Sequence, residues 1–281
     1  MPDRTLEYCV LNIAANPHPA GAYENLLRSA AGHFFNYAGS DVATITSIRK
    51  REAGYFQGRL VCWTEIDLSD PAIDKQTLLE KTLAELSVSI PDNIGLNGKV
   101  FIFTLRERDH RLFVETRNEL GKRLSPKLVG KIFGYLLSSE VQPPDAPTVE
   151  VTVIPQEDTL SRILALPKLK RLKIHMVRSN PDDINSDVER VLAEMDAMGA
   201  RSQDIILVAA PRAPQLEPDS RVLAQAKAGD QNGYVEGVGE GADGKALKLS
   251  TSEHPKVIKS VVPPERTFIA DALKVAKETD I

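Results

Sequence analysis

The amino-acid sequence predicts a mixed α/β fold, α+β in arrangement, in which mixed or antiparallel sheets have helices packed on them. The first observation is that strand-like runs occur in adjacent pairs, such as VATITSI followed by YFQGRLVCWTEI, in which apolar and polar residues alternate. The second is that segments with helical spacing of apolar residues separate these pairs. The third is the breaker QPPDAP at 142–147, which divides the 281 residues into two halves.

The first half begins with a strand and a helix. Leu6–Ile13 is almost wholly apolar, as expected of a buried strand, and the Asn-Pro-His-Pro segment at 16–19 ends it. Between 23 and 37 the apolar residues recur at the intervals of an amphipathic helix. The alternating runs at 42–50 and 55–66 then predict a hairpin.

The remainder of the first half contains two helices and three strands. Asp-Pro at 70–71 and Ser-Pro at 125–126 each place a capping side chain before a proline that suits the first helical turn. The pattern predicts, in order, a helix at 70–86, a hairpin of strands at 100–105 and 111–115, a helix at 125–138 and a strand at 149–154.

The second half repeats this alternation of helices and strands. Asp-Gly at 243–244 favours a tight hairpin turn, and two prolines at 263–264 precede the last helix. The pattern predicts, in order, a helix at 159–166, a strand at 170–177, a helix at 185–198, a central strand at 204–209, a hairpin of strands at 234–239 and 246–250, and a helix at 265–277. We therefore predict an N-terminal mixed α/β subdomain at 1–155 and a C-terminal α/β subdomain at 156–281.

Positive charge is concentrated in the middle of the chain. Residues 100–180 carry 14 basic and 9 acidic side chains, whereas the formal charge of the whole chain is −4. A basic segment on a mildly acidic protein points to a polyanionic partner, of which nucleic acid is the obvious kind.

The first basic segment, 106–131, comprises the turn of the second hairpin and the start of the following helix. Its excess of cations suits a phosphate backbone, and the helix N-terminus would add exposed amides. The alternative is a solvated hairpin edge, because acidic residues are interleaved and pair across strands. Gly130 and Gly134 share one helix face, a spacing typical of close packing. The cations are Arg106, Arg108, Arg111, Arg117, Lys122, Arg123, Lys127 and Lys131.

The second basic segment, 168–178, coincides with a predicted strand. Alternation places Arg171, Lys173 and His175 on one face of that strand. This face either lies along nucleic acid or faces solvent, and the sequence does not separate the two. The cations are Lys168, Lys170, Arg171, Lys173 and Arg178.

Asp182 and Asp183 are the candidate metal ligands. Adjacent carboxylates bind hard cations, and a metal-dependent nuclease uses such groups. The alternative is a loop and helix cap, since no third ligand follows at a recognisable spacing and Asp at a helix start suits the macrodipole.

The other residue types carry no enzymatic signature. The five histidines lack metal-ligand spacing, and no serine lies in a GxSxG elbow. Cys9 and Cys62 lie in apolar, strand-like runs, which predicts reduced, buried thiols. We therefore predict no catalytic residues and no cofactor. The lack of an apolar leader and of any run long enough for a bilayer predicts a cytoplasmic protein without membrane insertion.

Four longer segments carry a resemblance to known proteins. They are WTEID (63–67), HRLFVETRNELGKRLSP (110–126), LPKLKRLKIHMVRSNPDD (166–183) and NGYVEGVGEGADGKALKLSTSEHP (232–255). With these segments the chain resembles an uncharacterised family of bacterial and mobile-element proteins. That family is in turn distantly similar to RexA, the sensor protein of the phage lambda exclusion system, through the layout of the second half.

The resemblance implies a DNA-binding homodimer that acts in phage exclusion or antiviral defence without enzymatic chemistry. Because the late hairpin carries Glu236, Glu240 and Asp243, nucleic-acid contact would fall to the two basic segments. We therefore expect a non-enzymatic protein that binds nucleic acid without reading its sequence. Two alternatives stay open: a metal-dependent, nuclease-like effector, and a protein-interaction or sensor module whose partner is encoded by a neighbouring gene of a defence locus.

Overall fold

The structure is a computed structural model that describes residues 4–83, 85–86, 89–91, 93–178, 186–241 and 243–280. Its described strands are β1 (Arg4–Asn16), β2 (Phe35–Ala38), β3 (Asp41–Glu52), β4 (Tyr55–Thr64), β5 (Ala72–Ile73), β6 (Glu80–Lys81), β7 (Leu96–Arg106), β8 (Arg111–Arg117), β9 (Thr148–Val153), β10 (Arg171–Val177), β11 (Ser202–Val208), β12 (Gly233–Glu240), β13 (Ala246–Ser250) and β14 (Val257–Val262). Its described helices are α1 (Ala22–Ala30), α2 (Pro126–Leu136), α3 (Thr159–Leu164), α4 (Ser186–Ala197), α5 (Ser220–Gln231) and α6 (Phe268–Glu278).

An eight-stranded antiparallel sheet forms the larger part of the molecule. Seven strands follow the order β14-β1-β8-β7-β4-β3-β2, and β9 pairs beside β14 on the same edge of β1. Helices α1 and α2 cover one face, where Leu27, Phe133 and Phe103 belong to the main core. Helix α6 covers part of the other face and packs Ala272 and Ala276 against strand residues of β1 and β8. The predicted fold class is therefore confirmed.

A smaller antiparallel sheet has the order β11-β10-β12-β13. Its inner face packs against α3, α4 and α5, with Leu172, Ile174 and Met176 of β10 in the core. Helix α3 approaches β12 closely, because a Cβ atom at Gly237 would lie 2.6 Å from Ile163 Cγ2. The glycines of β12 therefore permit helix and sheet to pack closely.

The predicted helix at 70–86 is wrong. This segment contains the short β5–β6 hairpin, in which Asp74 Oδ1 accepts hydrogen bonds from the backbone amides of Gln76 and Thr77. That local bonding competes with helix formation, and Leu78 has a φ of 59°. The apolar residues of the segment have no core to cover, since Leu78 is 77% exposed.

Three other predictions differ from the structure in detail. The helix predicted from 23 ends at Ala30, after which Gly32 adopts a φ of 87° and the chain enters β2. The strand predicted as central at 204–209 is β11, at one edge of the smaller sheet. Helix α5 and strand β14 were not predicted from the sequence.

The predicted division into subdomains at 155/156 stays a prediction. The structure adds that the last strand and helix return to the larger sheet, since β14 pairs with β1 and α6 packs on β7 and β8. Both cysteines are free and buried, as predicted. Within the described ranges, every helix is too short or too polar to cross a bilayer.

Arg106 corrects one expectation about the first basic segment, because its side chain is 1% exposed. The guanidinium pairs with Asp109 at 2.6 Å and lies 4.8 Å over the Phe113 ring. It also donates hydrogen bonds to the carbonyls of Ala276 and Thr279, at the C-terminal end of α6, at 2.5 and 2.8 Å. Arg106 thus attaches the terminal helix to the sheet instead of facing solvent.

We expect Arg106→Ala to lower the free energy of unfolding by about 3 kcal/mol, because removing one member of a buried ion pair leaves its partners without compensation. Hydrogen exchange of the α6 amides should accelerate as well. Arg108→Ala is the matched control, since Arg108 is exposed on the same turn; we expect a change within about 0.5 kcal/mol. Equal urea midpoints for the two variants would contradict the role of Arg106.

Glu115 is a second buried ionisable residue on the α6 face of the sheet. Its side chain is fully buried, and Oε2 accepts a hydrogen bond from the Ile102 amide at 2.8 Å. Oε1 has no hydrogen-bond partner among the described residues. Burial raises the pKa of the Glu115 carboxyl to about 8. The nearby carboxyl groups of Glu119 and Asp271 also raise this pKa, whereas the hydrogen bond from the Ile102 amide lowers it. The folded protein therefore keeps Glu115 protonated at neutral pH.

A raised pKa in the folded state makes stability fall as pH rises. The stabilisation contributed by protonated Glu115 is fully present below the ordinary pKa of 4.5 and is lost progressively as the pH rises to about 8. Across this range the free energy of unfolding falls by roughly 1.4 kcal/mol per pH unit. Glu115→Gln keeps the acceptor for Ile102 and removes this titration, so we expect it to gain stability relative to the original chain from pH 5 to 8. Urea denaturation of both proteins at pH 5, 6.5 and 8 measures the difference. A constant difference across these pH values would show that Glu115 does not titrate in this range.

Candidate functional site

A cleft of about 860 Å³ lies between the larger sheet and the smaller one. One wall is the first turn of α2 together with β9, and the other is the outer face of β10 and β12 near their ends. This volume is typical of ligand-binding clefts. The lining includes Ser125, Lys127, Gly130, Lys131, Glu150, Val151, Val153, His175, Tyr234, Glu236 and Glu253.

The wall formed by the smaller sheet follows from strand alternation. Leu172, Ile174 and Met176 are buried against the helices, so Lys173 and His175 face outward, as the sequence analysis predicted. The register then places further side chains beside them, because Asp204 of β11 and Tyr234 of β12 both pair with His175.

These four outward residues form one hydrogen-bonded cluster. His175 Nδ1 and Asp204 Oδ1 are 3.1 Å apart, and Lys173 Nζ donates a hydrogen bond to the Tyr234 hydroxyl at 2.6 Å. The His175 and Tyr234 rings stack with centroids 4.9 Å apart. The arrangement presents an aromatic pair to the cleft with an ammonium group at its rim.

Two pKa shifts follow from this geometry. The hydrogen bond to Tyr234 raises the pKa of Lys173, and Asp204 adds to the effect. Partial desolvation opposes ionisation of Asp204, but the neighbouring His175 and Lys173 outweigh it and lower the pKa of the carboxyl. Lys173 therefore stays cationic beside an ionised Asp204 at neutral pH.

The opposite wall depends on the start of α2. Ser125 caps the helix, with its hydroxyl accepting from the Leu128 amide, and Lys127 lies exposed in the first turn. Lys131 Nζ donates to the Tyr37 carbonyl at 2.7 Å and lies over the Phe35 ring. Gly130 permits close packing, as predicted, since a Cβ atom there would lie 2.7 Å from Val153 Cγ2.

Two of the acidic residues in the cleft are paired with cations. Glu150 forms an ion pair with Arg201, and Glu236 forms one with Lys248 at 3.2 Å. The charge of these two carboxylates is thus offset locally. The ammonium groups of Lys127 and Lys131 make no ion pair with any residue that the structure describes.

The predicted cations have several different environments. Arg106 and Arg111 are buried, so their assignment to an exposed surface is corrected. Arg117 and Arg123 pair with Glu7, Lys168 pairs with Glu240, and Lys170 donates to two backbone carbonyls. Arg178 lines a small separate cavity beside Asn16. Exposed cations without an ion pair in the described part of the chain are Arg108, Lys122, Lys127, Lys131 and Arg171.

Lys127 and Lys131 of the first basic segment line the cleft. Of the second segment, His175 and Val177 line it, and Lys173 reaches its rim through the hydrogen bond to Tyr234. Asp204 and Tyr234 were not among the predicted site residues, although both lie in predicted strands. Only the pairing of those strands with β10 places them beside His175, and the sequence does not specify that pairing.

Asp182 and Asp183, the alternative metal ligands, lie outside the described residues, so that alternative stays a prediction. Among the residues that the structure does describe, no three His, Cys, Asp or Glu side chains are grouped to hold a metal ion.

Comparison with protein-family models places almost the whole chain in one family. A family model described as a domain of unknown function (DUF4747) matches residues 4–278. No curated protein matches the chain.

Replacing Tyr234 with Phe keeps the ring beside His175 but removes the hydroxyl that accepts the hydrogen bond from Lys173. We expect the pKa of Lys173 to fall toward its ordinary value, because that bond is the largest cause of its rise. An NMR titration of the lysine side chains measures the change. Tyr135→Phe is the control, since Tyr135 belongs to α2 and stacks on Phe35. An unchanged Lys173 titration in Tyr234→Phe would rule out this bond.

Proposed function

The chain belongs to the DUF4747 family, and from the geometry of the cleft we propose that it binds nucleic acid there without reading the base sequence. The proposal is one of binding and includes no enzymatic step. It rests on one observation: cations of two basic segments that are separated by 36 residues, 106–131 and 168–178, lie at the same cleft. Lys127 and Lys131 line one wall, and Lys173 is hydrogen-bonded to Tyr234 of the other.

The cations suit the phosphate backbone. Lys127 and Lys131 on α2 and Lys173 on β10 are ammonium groups, which contact phosphates as point charges and release counterions on binding. The first turn of α2 adds backbone amides that have no intrahelical acceptor, a favourable environment for an anion. These contacts supply affinity for any sequence, because phosphates are the same at every position.

The aromatic pair suits the bases. Tyr234 and His175 stack with centroids 4.9 Å apart at the cleft, and an aromatic ring in a cationic groove provides a surface on which an unpaired base stacks. Stacking tolerates all four bases, since each has a π face. Single strands therefore fit the cleft better than duplexes, which keep their bases inside the helix.

The biological setting in this proposal comes from the resemblance to the phage-exclusion sensor. It comprises a role in antiviral defence and assembly as a homodimer. The structure offers a place for a second copy: β11 is an edge strand, and its Val208 is 67% exposed. Edge strands pair readily with another chain, and two identical edges satisfy two-fold symmetry. The same edge also suits the alternative of a protein-interaction module.

Binding of a fluorescent 20-nucleotide single strand should weaken steeply as salt rises. We expect the double variant Lys127→Ala/Lys173→Ala to bind several unrelated sequences more weakly by similar factors. The slope of log affinity against log salt should become shallower by up to about 1.4, because each single-strand phosphate contact contributes about 0.7. Fluorescence anisotropy at four salt concentrations measures both quantities.

The matched control is Lys245→Ala/Lys274→Ala, which removes the same charge from the β12–β13 turn and from α6. It should retain the original slope. The proposal fails if the original chain binds neither single strands nor duplexes at low salt, or if both double variants lose affinity equally.

A further inference from the structure

A second groove lies on the opposite face of the larger sheet from α2, beside the first turn of α6. It consists of two adjoining cavities of about 130 and 460 Å³. Both cavities are lined by Arg59, Ile102 and Ile269, so they form one continuous groove. The smaller cavity is also lined by Arg49, Arg51 and Gln57, none of which belongs to the basic segments of the cleft.

Irregularities in β3 bring the three arginines together. Thr46 pairs with Arg59, but the next pair is Arg49 with Gln57, so one extra residue is inserted in β3. Ser47 within this bulge has a φ of 59°. The bulge places Arg49 on the same face as Arg59 and Gln57, and a second register shift follows around Arg51. Bulges often redirect side chains next to functional sites.

The charge of these arginines is not neutralised within the described part of the chain. Arg49, Arg51 and Arg59 are exposed, and none of them forms an ion pair or a side-chain hydrogen bond with a described residue. The nearby acid Glu52 pairs with Lys277. Glu119 lines the larger cavity and is the acidic residue of its wall. Three guanidinium groups around one small cavity repel one another unless an anion lies between them.

Gln57 indicates that the ligand has a polar group besides its anionic one. The residue is 2% exposed, and its Nε2 donates to Thr104 Oγ1 at 2.9 Å and to the Ile269 carbonyl at 3.0 Å. Because a carbonyl only accepts, the second bond fixes the orientation of the amide. Oε1 is then left buried without a partner in the described residues, and Gln57 is one of the residues that line the smaller cavity. A buried acceptor of this kind calls for a donor.

We propose that this groove binds a small phosphate ester that also carries a hydroxyl group, with the sugar phosphates as the chemical class. The arginines bind the phosphate, for which their planar donors are well matched. Gln57 Oε1 accepts a hydrogen bond from the hydroxyl. The amides of Phe268 and Ile269, in the first turn of α6, add two donors that precede the first intrahelical bond. The larger cavity accommodates the remainder of the ligand.

The groove is independent of the proposed nucleic-acid cleft, since α2 and α6 cover opposite faces of the larger sheet. A nucleic-acid backbone would also satisfy the exposed arginines, and single-strand binding by the arginine variant distinguishes it from a small ester. Inorganic phosphate would fill the cavity but leave Gln57 without a donor from an organic hydroxyl group. These differences separate the proposal from its alternatives.

Isothermal titration calorimetry of the full chain with ribose 5-phosphate, inorganic phosphate and ribose tests the proposal. We expect ribose 5-phosphate to bind at least fivefold more tightly than inorganic phosphate and ribose not to bind. Arg49→Ala/Arg59→Ala should weaken ribose 5-phosphate at least tenfold, because two charge-assisted hydrogen-bonding groups are removed. These exposed substitutions should leave the fold intact.

Two control variants separate this site from the cleft. Lys127→Ala/Lys173→Ala should leave ribose 5-phosphate affinity unchanged, and Arg49→Ala/Arg59→Ala should leave single-strand affinity unchanged. Gln57→Met should remove the preference for the ester over inorganic phosphate. Equal affinity for the two ligands in the original chain, no binding at millimolar concentration, or loss of nucleic-acid binding in the arginine variant would each overturn the proposal.

Discussion

Strand β1 pairs with three other strands and so holds the larger sheet and both ends of the chain together. One edge of β1 pairs with β8, while the other is shared end to end by β14 along Arg4–Cys9 and by β9 along Leu11–Asn16. The first described strand, β1, therefore pairs with the last one, β14. The two connections between the larger and the smaller sheet, after β9 and before β14, both lie at this edge of β1. Side chains of β1 are almost continuously buried because helices cover both faces. A buried strand with both edges paired leaves no polar backbone group unsatisfied.

The cleft is a consequence of this arrangement. The chain leaves β9 through Pro155 and returns through Pro255, and these two residues form an isolated bridge. Asn12 Nδ2 of β1 donates to Asn232 Oδ1 at 2.7 Å, which adds a buried contact next to β12. The cleft lies beside these contacts, between α2 with β9 on one side and β10 with β12 on the other. Lys127 and Lys131 thereby come to lie across the cleft from His175 and Tyr234.

Arginine side chains have opposite roles at positions close in the chain. Arg106 is enclosed by the end of α6, whereas Arg108, two residues later, is exposed. Arg49, Arg51 and Arg59 remain unpaired in the described ranges because a bulge directs them to a face that α6 covers only in part. A guanidinium stabilises the fold when backbone carbonyls and a carboxylate surround it. It remains available for an external anion when no such groups are within reach.

Much of the local structure could be predicted from short-range sequence patterns. Alternation identified β10 and its outward residues Lys173 and His175, and the Ser125-Pro126 pair identified the start of α2, because these signals act between residues close in the chain. The helical spacing of apolar residues at 70–86 did not predict the turn that Asp74 closes there. Such spacing favours a helix only where the apolar face has a core to cover, and Leu78 is exposed. Three features could be seen only in the folded protein: the burial of Arg106, the position of Asp204 and Tyr234 beside His175, and the common groove of Arg49 and Arg59. Each of these depends on strand pairing and helix docking between distant segments, which local patterns do not specify.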